Sequence, residues 1–231
     1  MKKSIFLLLT FLYAETSVQV CAREAKVLDP FHSIVVSSEI ITELVLSDRE
    51  AIEVNFSGAE KTNLIVEVVD SVLKIRMKTG QYKDAKLNVR VHYTKDLRSM
   101  EANGRGQIWS EEELYFDNNL TVKLFNGGEM RFNLYCDSLS ATLSQGSIIH
   151  LKGKARALQV KSTTNATFSG YEFETENAEV VATGTGKAKV SVSRYLKATA
   201  SSKGFIGYVG EPPKVDDKTS LGGEILKTFL E

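Results

Sequence analysis

Asn103-Gly104-Arg105-Gly106-Gln107-Ile108 is a short corner motif, turn-prone in front and apolar at its end. A degraded copy follows as Phe125-Asn126-Gly127-Gly128-Glu129-Met130. Further copies, led by Thr, Ser or Gly, end at Ile148, Phe168, Ala188, Ile206 and Ile225. The end positions step by 22, 18, 20, 20, 18 and 19 residues. A fixed period of this size marks a solenoid, whose repeats bury their apolar faces only by stacking on one another. Glycine suits such a corner because it accepts positive φ and lets backbones approach closely. Asn103, Asn126 and Asn165 fit the same demand, since asparagine tolerates the left-handed region.

Working outward, each repeat opens on an apolar residue some ten positions before its corner ends, such as Leu120 before Met130, Leu139 before Ile148 and Leu158 before Phe168. Alternation follows, as in Leu139-Ser140-Ala141-Thr142-Leu143, and a second alternating run follows the corner, as in Ile148-Ile149-His150-Leu151. One repeat therefore reads as strand, tight corner, strand, corner. The same repeat could build the long hairpins of a β-sandwich, but parallel coils stack equivalent apolar positions in rows, one per turn. Upstream, Phe31 to Tyr93 holds alternating runs without the glycine motif, for example Leu73-x-Ile75-x-Met77 and Leu87-x-Val89-x-Val91-x-Tyr93. Ser57-Gly58, Asp70-Ser71 and Thr79-Gly80 separate these runs as turn signals, which suits antiparallel hairpins. The predicted fold is all-β: a right-handed parallel β-helix-like solenoid of roughly 20-residue repeats, preceded by an N-terminal region of short antiparallel strands. The expected divisions are 1–22, 31–96 and 97–231, with 30–231 forming one continuous unit. Pro212-Pro213 interrupts the ladder before the last copy, and Leu226 to Glu231 is the expected cap.

Lys2 and Lys3, then the apolar run Ile5 to Ala14, read as an export signal with a cleavage site at Val20-Cys21-Ala22 or, earlier, at Ala14. That run is too short to span a bilayer, and no later segment is long and apolar enough to do so. Cys21 is also a candidate lipid anchor, but Val18-Gln19-Val20 lacks the small residues expected just before a lipidated cysteine. Cleavage after Ala22 leaves Cys136 alone, with no intramolecular disulfide. Lys and Arg number 29, as do Asp and Glu, so no basic excess points to nucleic acid.

The arrangement resembles the bacterial putative auto-transporter adhesin head domains, or head GIN domains. The carrying residues are Phe31-x-x-Ile34, Asp70-x-x-Leu73-x-Ile75, the small-Gly-small-Gly corners, and Gly204-Phe205-Ile206-Gly207-Tyr208-Val209-Gly210-Glu211-Pro212. Thr164-Asn165-Ala166 departs from the usual corner. The resemblance implies an exported β-rich protein of the periplasm, the outer surface or the medium. It implies a class and no particular ligand.

Gly104-x-Gly106 and Gly184-x-Gly186 mimic part of a dinucleotide fingerprint, but strands follow where that fingerprint needs a helix. His32, His92 and His150 lack ligand spacing, no serine sits in a nucleophile elbow, and Glu111-Glu112-Glu113 reads as a solvated loop. No catalytic residue, cofactor or metal is therefore expected. The candidate ligand surface is Trp109, Tyr115 and Phe116, beside an acidic loop that breaks the repeat spacing. The expected function is a non-enzymatic adhesin with a protein or glycan partner. The alternative is a carbohydrate-binding module or a polysaccharide-active β-helix enzyme. Homo-oligomers are a further expectation, since open solenoid ends invite pairing.

Overall fold

The computed structural model describes residues 24–57, 63–78 and 86–229. The expected export signal and Cys21 lie outside them, as do Gly58, Thr79 and Gly80 of the turn signals and the last two residues of the cap.

Five long strands wrap the body of the molecule: β9 (Gln107–Phe125), β10 (Glu129–Leu143), β11 (Ile148–Thr163), β12 (Thr167–Thr183) and β13 (Lys187–Ser201). Each is one coil, and each pairs parallel with the next. The sandwich alternative is thereby excluded. Shorter strands β14 (Phe205–Val209), β15 (Lys214–Ser220) and β16 (Glu224–Lys227) finish the stack, also in parallel.

The alternation in sequence becomes the inside and outside of the coil. In β10, Met130, Phe132 and Leu134 point inward, and so do Leu139, Ala141 and Leu143. The step from Leu134 to Leu139 is odd, so the inward face changes parity at a bend around Asp137. Stacking then lines equivalent residues up. Leu120, Leu139, Leu158, Ala178, Leu196 and Val215 form one inward row. Among the described residues Phe132, Phe168 and Phe173 are the largest fully buried side chains. Burying such a ring fully contributes roughly 1.5–3 kcal/mol.

Seven corners join the coils, each closed by a hydrogen bond from the fourth residue to the first, as in Gly186 N to Thr183 O at 2.9 Å. Both central residues have positive φ: Gly104 and Arg105, Asn126 and Gly127, Gln145 and Gly146, and so on to Leu221 and Gly222. That pair of positive φ values is the type I′ signature, whose twist matches the strands it joins. The fourth position stays small for another reason. A Cβ at Gly106 would sit 2.8 Å from the Val36 carbonyl oxygen of the coil below. The odd corner Thr163-Thr164-Asn165-Ala166 closes the same way, with Ala166 N to Thr163 O at 3.1 Å. The buried Ser162 hydroxyl donates to the Ala166 carbonyl at 2.9 Å.

One register differs from expectation. Met130 pairs with Ile149, not Ile148, and Ile149 pairs with Phe168. Ile149 is buried and Ile148 is 38% exposed. A one-residue slip moves a strand's whole apolar set to the other face, so the core selects Ile149. The steps become 22, 19, 19, 20, 18 and 19.

The N-terminal region holds β1 (Glu24–Val27), β2 (Ser33–Ser37), β3 (Ile40–Leu46), β4 (Ala51–Ser57), β5 (Leu64–Val69), β6 (Val72–Met77), β7 (Lys86–Tyr93) and β8 (Ser99–Asn103). Antiparallel pairing joins β1 to β4, β4 to β7 and β5 to β6, the last through the Asp70-Ser71 turn. Strand β3 was not anticipated from the sequence, because Ile41 and Val45 blur its alternation. It pairs parallel with β7 and β9, while β2 pairs parallel with β6 and β8. The solenoid's stacking therefore continues into this region, with Ile34, Met100, Val122, Ala141, Val160, Val180, Ala198 and Asp217 in one inward row.

Candidate functional site

The coils are not equal in length, and the differences are local. At the first bend after the corner, β9 spends Ser110, Glu111 and Glu112 where β10 spends Phe132 alone. Farther along the stack, β12 spends Gly170 and Tyr171 where β11 spends Leu151 alone. Against β13, β12 carries Tyr171, Glu172 and Phe173 where β13 has no residue at all. Extra residues in one coil force the backbone outward. Two raised coils therefore flank two short ones, and β10 and β11 form the floor between them.

The resulting concavity has a volume of about 730 Å³ and is open to solvent. Arg131, Asn133, His150 and Lys152 rise from the floor, with Ser110 on one wall and Tyr171 on the other. Arg131 also borders a smaller hollow of about 230 Å³ that Trp109 lines. Register explains why these side chains meet. Trp109, Arg131, His150, Ser169 and Lys189 are successive partners in one outward row. Parallel strands lie about 4.8 Å apart, so the row runs about 19 Å along the stack.

Tyr171 is held on several sides. Its hydroxyl lies 3.4 Å from that of Thr228, and the Lys189 ammonium sits 5.7 Å from its ring centroid. The hydroxyl reaches over Gly207, where a methyl group would collide with it. Lys152 donates to Glu172 at 2.7 Å.

The three residues singled out in the sequence part company. Trp109 is half-buried and borders the smaller hollow. Tyr115 is exposed beyond the β9 bulge, donates to Glu113, and stacks on Tyr135 with ring centroids 4.8 Å apart. The Glu113 hydrogen bond holds its phenol above the ordinary range. Phe116 is only 4% exposed and stacks on Tyr93 in the core, so its ring offers no face to a ligand. Alternation is the cause, since neighbours in a strand point to opposite faces. Sequence reading misses Arg131 and Lys189, and it finds no ligand spacing in His150. The signal was present in the 22-residue step, but the row needed the register.

A second bend carries an alternating charge ladder. Arg156 donates to both Asp137 oxygens, at 2.8 and 2.9 Å, and Arg194 to Glu176 at 3.1 Å. The Arg156 hydrogen bond holds the Asp137 carboxyl below the usual carboxylate range. Among the described residues no group of three or more His, Cys, Asp or Glu is placed to hold a metal ion, and no helix is long and apolar enough to cross a membrane.

A parallel β-solenoid with stacked type I′ corners and an antiparallel N-terminal flank defines the structural class. The model of the family described as putative auto-transporter adhesin, head GIN domain, matches residues 30–212, and the chain belongs to that family. A putative adhesin from Bacteroides fragilis is similar, with a TM-score of 0.76 at 17% identity over 90% of this chain and 96% of that one. A putative adhesin from Parabacteroides distasonis gives 0.64 at 21% identity, over 90% of this chain and 96% of that one. A putative lipid binding protein from the same organism gives 0.65 at 18% identity, with the same coverage. At these identities the likeness shows the fold. No curated protein matches the chain.

Proposed function

We propose that this protein is an exported, non-enzymatic adhesin whose partner docks in the saddle between the β9 and β12 bulges. The observation carrying this reading is that the coils depart most from even stacking where the walls of one groove rise. Backbone irregularity in a repeat scaffold costs stacking and tends to sit where function needs it. The family membership supports the adhesin class. Support for binding over hydrolysis comes from the groove's lining. Its single carboxylate among the described residues, Glu172, is held by Lys152, whereas a glycoside hydrolase uses two.

Tyr171 gives the saddle apolar surface and Trp109 gives it to the adjoining hollow, and Ser110, Asn133 and Ser169 give the saddle hydrogen-bonding groups. This mixture fits a glycan better than an apolar ligand. The test is a glycan array and a cell-surface binding assay with the purified protein and with Trp109→Ala and Tyr171→Ala. Binding that falls in both variants is the expected result. Binding unchanged in both would place the partner elsewhere and overturn the reading. Release of reducing ends from a bound polysaccharide would favour the enzyme alternative instead.

A further inference from the structure

Ion pairs bridge neighbouring strands and coils on the outside of this molecule: Arg90 with Glu43, Arg105 with Glu39, Arg156 with Asp137, Arg194 with Glu176, Lys197 with Glu179. The saddle's lining is unbalanced in charge: Arg131, Lys152 and Lys189 stand against one carboxylate, Glu172, which Lys152 holds, although the whole chain has a formal net charge of +0. Arg131 is exposed and has no acidic partner among the described residues, and neither has Lys189 or His150. All three stand in the row that begins at Trp109. Along the row Arg131 is flanked by Trp109 and His150, and Lys189 by Ser169 and Gly207, none of them an acid.

We infer that the saddle binds an acidic polysaccharide, one whose carboxylate or sulfate groups pair with Arg131 and Lys189 along the row from Trp109 to Lys189. This rests on the docking reading above and adds the ligand's charge. The row is linear, which suits a chain polymer carrying charges at intervals. Arg131 supplies a planar fork that pairs with a carboxylate or sulfate through two parallel bonds. Trp109 and Tyr171 offer ring surface to the apolar faces of sugar rings. Tyr171 needs little reorganisation, because Lys189, Thr228 and the missing side chain at Gly207 already fix it. Ion pairing in an open groove is screened by salt, so affinity must fall as ionic strength rises.

The experiment measures binding of the purified protein to immobilised polygalacturonate, chondroitin sulfate and neutral dextran, at low and high salt. The expected result is binding to one or both acidic polymers, weakened by salt, and none to dextran. The double variant Arg131→Gln/Lys189→Gln should bind about tenfold or more weakly, the loss expected for charge-assisted bonds. Arg156→Gln, which removes an exposed cation at the other bend, should bind as the native protein does. Circular dichroism melts of all three check that folding is intact. Dextran bound as tightly as the acidic polymers, and lost in Tyr171→Ala, would overturn the charge assignment while leaving the docking reading standing. Equal loss in Arg156→Gln would overturn the inference in favour of diffuse charge attraction. No binding to any polymer would overturn it as well, and the cell-surface assay then decides the docking reading separately.

Discussion

At the residue scale, the corners divide two demands that the sequence presents together. Positive φ at the central positions is met mostly by residues with side chains, such as Arg105, Asn126, Gln145 and Leu221. The fourth position needs no such φ; it needs a small residue, glycine at five of the corners and Ser147 and Ala166 at the other two. Gly186→Ala would drive a methyl group into the Ser162 carbonyl of the coil below. The expected cost is on the order of 3 kcal/mol, read from urea or thermal melts. Leu221→Asn should act the other way. Leu221 is 80% exposed with φ 49, and asparagine accepts that backbone with less strain. A gain of about 0.5–1 kcal/mol is expected. Thr42 makes a third case, buried with a hydroxyl that finds no partner among the described residues. Thr42→Val removes that orphan at nearly constant shape and should stabilise by about 1 kcal/mol. Cys136 is packed at the second bend, and burial pushes its thiol up to about 12. Since the thiolate is the reactive form, Ellman's reagent at pH 8 should label the native protein far more slowly than the unfolded chain.

At the element scale, each coil is a long strand whose bends are set by how many residues it spends there. The 22-residue step is the β9 coil with its extra residues, and the 18-residue step is the short β13 coil. Deleting Glu111 and Glu112 should lower the first wall, leave the stack folded, and weaken ligand binding without a matching drop in Tm. The second bend offers a cleaner electrostatic test. Asp137 is held below its ordinary pKa by Arg156, so this pair contributes stability that is present above the unfolded carboxylate's pKa. That stability is lost as pH falls through the lower folded value. Both side chains are exposed, so the effect on Tm is small. The titration itself is the readout: carbon-13 NMR should show Asp137 titrating below a free aspartate, and Arg156→Gln should return it.

At the scale of the whole molecule, the last coil closes the stack. The inward row that carries Val180 and Ala198 ends on Asp217, and the row that carries Ala182 and Ala200 ends on Thr219. Polar groups at inward positions of a terminal strand discourage another chain from adding to the open edge. Asp217→Val should therefore promote end-to-end association, visible by light scattering as a mass that grows with concentration. A mass unchanged from that of the native protein would show that Pro212-Pro213 suffices. Export is tested at the same scale, where N-terminal sequencing of secreted protein should begin at Arg23.

What the sequence by itself determined is the repeat, and with it the solenoid. The period, the alternation inside each repeat and the small corner residues are local patterns, and stacking them is the way for such short repeats to bury their apolar sides. The place of one irregularity was legible too, in the 22-residue step beside Glu111-Glu112-Glu113; the β12 bulge was not, because counting from Ile148 gives two successive 20-residue steps. Tertiary structure alone decided which side chains share a surface. Ile149 displaced Ile148 because the core below fixes the register, and Phe116 turned inward beside an exposed Tyr115 for the same reason. Arg131, His150, Tyr171 and Lys189 lie about twenty residues apart in the chain, as any successive coils do. Nothing local marks them as a group; the parallel register, which holds equivalent residues about 4.8 Å apart, sets Arg131, His150 and Lys189 in one row, and the β12 bulge raises Tyr171 beside it.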